Sequence, residues 1–172
     1  MHKEKYTVQR LVVLATMIAL DFVLSPIFRI EGMTPISSVM NVIAAVLMGP
    51  TYTVIMAIAC ALMRMLFLGI PPLAFTGAVF GGLLAGIFYK YSQKTILAIV
   101  GEIIGTGLIG SLASYPIMVI YTGNSNQIFW FLFTPKFFGG AISGSIIAYL
   151  ILIKLSKINS FKKANTYFSN NY

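Results

Sequence analysis

Apolar residues in this chain come in long runs, separated by short breaks that hold proline, glycine or charge. Runs of about 20 residues are the pattern of helices that cross a lipid bilayer. Six are predicted, at roughly 9–25, 35–48, 51–68, 73–89, 96–121 and 127–153. Pro26 stops the first, Gly49-Pro50 turns the second into the third, and Gly69-Ile70-Pro71-Pro72 closes the third. The second run is short, so it is expected to tilt little or to enter partway from a loop. The polar stretch 154–172 is expected to be a frayed cytoplasmic tail. Lys3, Lys5 and Arg10 precede the first run as in a secretion signal, but no small-x-small cleavage site follows it, so a retained helix is expected. The expected fold class is an all-α membrane protein, one domain over 1–172 with six transmembrane helices in a compact bundle.

Composition narrows the reading. Hydrophobic residues make up 58% of the 172 and charged residues 9%, against about 25% charged in soluble domains. Six spans in this length leave no room for an ATPase or kinase domain. The single Cys60 excludes an intrachain disulfide and a multi-cysteine metal site. The one histidine, His2, lies in the polar N-terminal segment. No Gly-rich phosphate loop, HExxH or Gly-x-Ser-x-Gly occurs, so no enzyme, metal or resident cofactor is expected.

The net charge of +8 is a topology signal rather than a nucleic-acid one. Lys3, Lys5 and Arg10, then Lys90 and Lys94, then Lys154, Lys157, Lys162 and Lys163 all fall on one side. The other side holds Arg29, balanced by Glu31. The positive-inside rule puts both termini in the cytoplasm.

Charge within spans is costly and marks function or a buried pair. Asp21, Arg64, Glu102 and Lys136 qualify, and the sequence leaves open whether they pair or line a pocket. Asn41, Arg64, Thr76, Ser114, Tyr115, Trp130 and Lys136 fall at the outer depth of their spans, which suggests an outward-opening pocket for a small polar aromatic ligand. Trp130, Tyr115 and Phe75 are candidates for ring stacking. Glu102 falls in the inner third of span five and reads as a local structural group. Ser37, Asn41, Ala44, Ala45 and Met48 share one helical stripe, and Thr53, Ala57, Cys60 and Arg64 another. Both are expected to face the interior. Glycine pairs at spacing four (Gly77 and Gly81, Gly82 and Gly86, Gly101 and Gly105, Gly140 and Gly144) predict close helix packing. Ala15 and Ala19 form a small-xxx-small docking face, about 140° away from Asp21.

Three stretches carry a family resemblance: Asn41-Val-Ile-Ala-Ala-Val-Leu-Met-Gly-Pro50; Arg64 through Leu73-Ala-Phe75 to Gly82-Leu-Leu-Ala-Gly86; and Gly101-Glu-Ile-Ile-Gly-Thr-Gly107 on to Ser114-Tyr-Pro116. With the Ala-x-x-x-Ala of span one, the chain resembles the ThiW family, the hydroxyethylthiazole S components of energy-coupling factor (ECF) vitamin transporters. It departs from the family pattern at Phe75-Thr76-Gly77, where Phe-Pro-Gly is expected, and at Ser37-Ser38, where Gln or His is expected. The resemblance implies a multi-pass protein of the bacterial cell membrane that binds the thiamine precursor in an extracellular-side pocket. Thr76, Ser114, Tyr115, Asn124, Trp130 and Lys136 would be pocket positions, joined by Asn41 and Arg64 from the stripes. Ala15 and Ala19 would dock on a transmembrane coupling subunit. Two partner ATPases would use ATP, and the S component would topple to release its ligand. Two alternatives stay open. One is an S component for a pyrimidine- or pyridine-type vitamin, the other a small non-transport membrane enzyme or assembly protein.

Overall fold

The computed structural model describes residues 2–30, 33–123 and 130–168. Apart from one bridge between Ile30 and Met33, their regular structure is helical. The helices are α1 (His2–Ile27), α2 (Pro35–Leu68), α3 (Leu73–Ser92), α4 (Thr95–Glu102), a π-helical segment (Ile103–Gly110), α5 (Ser111–Thr122), α6 (Thr134–Leu155) and α7 (Asn159–Phe168). The stretch Thr95–Thr122 is one unbroken helical rod. With Thr7–Ile27, Pro35–Leu68, Leu73–Ser92 and Thr134–Leu155 it makes five helices long and apolar enough to cross a membrane.

The element α2 is two helices in shape. Gly49 takes φ 76° and ψ −179°, a conformation open to glycine because it has no Cβ. Pro50 follows with its ring set for a first helical turn. In a straight helix Ser37 and Arg64 would stand about 40 Å apart. Instead Arg64 Nη2 donates to Ser37 Oγ at 3.1 Å. The arms 35–48 and 50–68 therefore run antiparallel, as the second and third predicted spans. At 1.5 Å per residue the first arm is about 21 Å long, shorter than a bilayer core of about 30 Å. Its Ser37-to-Met48 stripe is buried as expected, but Val39, Val42 and Val46 on its other sides are buried too. A helix enclosed all round is the core of the bundle. The second arm is one-sided: Thr53, Ala57, Cys60 and Arg64 face in, Leu66 and Phe67 face out.

Pro50 has no N–H, so the carbonyl of Val46, four residues earlier, loses its helical partner. Helix α7 replaces it: Asn165 Nδ2 donates to Val46 O at 2.9 Å. Phe168 is fully buried edge-on to Tyr52, ring centroids 4.9 Å apart. Arg10 Nε of α1 donates to the Tyr167 carbonyl. The tail is thus an ordered amphipathic helix as far as Phe168, not a frayed segment. Phe161, Ala164, Asn165 and Phe168 form the inward stripe, and Lys162 and Lys163 stay exposed. Both ends of the described chain lie at the end of the bundle that holds the Gly49-Pro50 turn.

The spaced glycines mark seams. A Cβ at Gly105 would collide with the Phe80 carbonyl, one at Gly86 with Pro50, and one at Gly144 with the Pro35 carbonyl. Helix α3 thereby lies backbone to backbone against the rod 95–122 on one side and the hairpin turn on the other. Helix α6 begins at Thr134, later than the predicted 127, after a turn over 130–133.

Candidate functional site

The described connections opposite the chain ends (27–30, 33–35, 68–73 and Phe133 just before α6) border a cavity of about 160 Å³. A closed cavity of about 150 Å³ accommodates one benzene-sized ring. The enclosed space therefore suits a single-ring ligand.

Asn41, Glu102 and Thr106 form the polar floor. Asn41 Nδ2 donates to Glu102 Oε2 at 3.2 Å and to the Ala78 carbonyl at 3.0 Å. Thr106 Oγ1 lies 2.8 Å from Glu102 Oε1 and 3.0 Å from the Gly77 carbonyl, so its one proton serves one of them at a time. Asn41 Oδ1 is buried without a hydrogen-bond partner. The missing side chain of Gly81 leaves room for this group: a Cβ there would stand 2.6 Å from Glu102 Oε2. Glu102 ends α4, and Thr106 lies one turn on in the π-helical segment. Such wide turns recur at functional sites.

Ser37 and Ser38 add hydroxyls from the first arm of α2. Phe133 and Phe137, one helical turn apart, supply aromatic wall. Arg29 and Lys136 stand at the mouth, both exposed.

Of the sequence-predicted pocket residues, Asn41 and Lys136 line this cavity. The other described ones do not. Arg64 Nη2 binds Asp21 Oδ2 at 3.1 Å, in an ion pair with both side chains 1% exposed. Ser25 donates to the other Asp21 oxygen at 2.6 Å. Arg64 reaches the cavity only through Ser37, which it holds from behind. Thr76 and Ser114 share a 2.5 Å hydrogen bond that ties α3 to α5. Tyr115 and Trp130 stack on each other, centroids 4.3 Å apart at 28°, away from the cavity lining. Phe75 is not a wall residue either. Asn124 lies outside the described residues. Ala15 and Ala19 are exposed on α1, and Asp21 faces inward, as their angular separation requires.

The four in-span charges thus divide. Asp21 and Arg64 pair. Glu102 and Lys136 have no ion-pair partner among the described residues, and Lys136 sits in the first turn of α6 rather than within a buried span. Sequence reasoning took Glu102 as a local structural group of the inner third. It does accept hydrogen bonds from Asn41 and Thr106, and it also lines the cavity, level with Asn41. Glu102 is seven residues past Thr95 and Asn41 eight before Gly49, so both stand about 10–12 Å from the same end of the bundle. That count is the signal by which Glu102 was findable.

A family model described as thiamine-precursor transporter protein (ThiW) matches residues 11–158. No curated protein and no solved structure matches the chain. The matched stretch runs from α1 into the residues just after α6 and contains every cavity residue named above. Five apolar helices, a one-ring cavity and this match over most of the sequence lead to one assignment: the chain belongs to the ThiW family of thiamine-precursor transporter proteins.

Proposed function

We propose that the chain is the substrate-binding S component of an ECF-type importer and that its ligand is hydroxyethylthiazole. The observation that carries this reading is the one-ring cavity with phenyl walls and a hydrogen-bonding floor. A thiazole ring fits against Phe133 and Phe137, with its polar edge toward Ser38, Asn41, Glu102 and Thr106. The cavity is too small to enclose both rings of thiamine. In this reading the protein lies in the bacterial cytoplasmic membrane, chain ends inside and cavity mouth outside. No covalent chemistry is involved. ATP is spent by two partner ATPases. The coupling subunit seats on the exposed Ala15–Ala19 face of α1, and the S component topples as a unit to release its ligand inward.

A second reading keeps the mechanism and changes the ring. Glu102 only accepts hydrogen bonds when ionised. A neutral thiazole alcohol offers it one O–H, whereas an aminopyrimidine offers N–H donors directly on the ring. Equilibrium binding to the detergent-purified chain separates the two. Hydroxyethylthiazole should bind saturably, with hydroxymethyl-aminopyrimidine, pyridine vitamins and thiamine as weaker competitors. Tighter pyrimidine binding would move the substrate and keep the class. No saturable binding of any of them would leave a non-transport membrane protein.

Docking is tested apart from binding. Ala15→Trp places an indole on an exposed face and touches no cavity residue. Uptake in cells should fall by about tenfold or more, on the order of 1.4 kcal/mol of lost association. Binding to the purified chain should stay at the parent level. Undiminished uptake would remove Ala15 from the docking face.

A further inference from the structure

We propose that this cavity takes its ring ligand in an anionic form, with a phosphate monoester or carboxylate held at the mouth by Lys136 and Arg29. The inference rests on the thiamine-precursor reading and changes one part of it, the charge of the ligand. Charge in the cavity is sorted by depth. The floor holds Glu102, fully buried, and the mouth holds two exposed cations. Lys136 lies between Phe133 and Phe137 in sequence, so its flexible stem starts at the edge of the aromatic wall.

The chain has four acidic residues. Glu4 stands at the start of α1, at the other end of the bundle. Asp21 is engaged by Arg64 and Ser25. Glu102 is the floor, and Glu31 lies outside the described residues. No described carboxylate lies within 4.0 Å of Lys136 or Arg29. An anion is attracted by the two cations at the mouth, so the ligand enters ring first with its charged arm outward. Charge-assisted hydrogen bonds to lysine and arginine are about twice as strong as neutral ones. A neutral alcohol leaves that strength unused.

The test is calorimetric titration of the purified full chain. The probes are hydroxyethylthiazole and hydroxymethyl-aminopyrimidine, each as free alcohol and as phosphate monoester, with a thiazole carboxylate to separate the two anions. For the ring that binds, the anionic form should bind about tenfold tighter than the alcohol or better. In the double variant Arg29→Gln, Lys136→Gln that preference should shrink to about twofold or less. Both substitutions fall on exposed side chains, and a melting curve confirms that the variant is folded. An alcohol that binds as tightly as its anionic forms overturns the inference and leaves the transport reading standing. A preference that survives in the double variant also overturns it, because the mouth cations are then not its cause. No binding by any probe overturns both.

Discussion

Arg64→Met should melt on the order of 10 °C below the parent chain in detergent. Removing one partner of a buried pair leaves the other charge uncompensated, at a cost of about 3–5 kcal/mol. Asp21 would then stay in the bundle with the Ser25 hydroxyl still donating to it but no countercharge. Its location between apolar helices leaves no water to take over. The double variant Asp21→Leu, Arg64→Met should recover most of the loss, since a well-packed apolar pair is often as stable as the ion pair it replaces. Thermal unfolding of the two single variants and the double variant gives the coupling between the sites directly. A single-variant loss below about 1 kcal/mol, the range of exposed pairs, would mean that the pair is solvated. Ligand affinity should fall modestly in Arg64→Met, because Ser37 loses the guanidinium that holds it from behind.

Glu102→Leu should lower ligand affinity on the order of 100-fold, as expected for losing one hydrogen bond to a charged group worth about 1.5–3 kcal/mol. It also removes the acceptor of one Asn41 N–H, while the Ala78 carbonyl keeps the other. Glu102→Gln keeps one acceptor and the volume, so it should lose less, about tenfold. The order Leu worse than Gln is the diagnostic part, measured by titration with the best-binding ring. Parent affinity in Glu102→Leu would remove Glu102 from the ligand's environment and reduce it to a packing group.

The helical plan was readable because lipid imposes it. Each span needs an apolar run, and Gly49-Pro50 and Gly69 through Pro72 punctuate the runs. The inward stripes Ser37 to Met48 and Thr53 to Arg64 were readable because they lie on ideal α-helix. The glycine seams were readable from spacing alone. The site was less so. Ser114 and Tyr115 lie beyond the π-helical segment 103–110. They were singled out by depth, which does not say where a side chain faces. Thr76 and Ser114 satisfy each other, and so do Tyr115 and Trp130. Outer depth alone cannot tell a ligand group from a tie between helices. Phe133 and Phe137 were passed over because phenylalanine is common in any span. The tail was misjudged from its lysines and asparagines, although Phe161, Ala164, Asn165 and Phe168 keep helical period.

The hydrogen bond from Asn165 to Val46 joins positions 119 residues apart. During synthesis the hairpin leaves the ribosome early, with the Val46 carbonyl still lacking the partner that Pro50 withholds. That donor is translated 119 residues later. The turn at the base of the bundle is therefore completed only after α7 has been made, and a nascent chain cut short before residue 165 carries an open hairpin base.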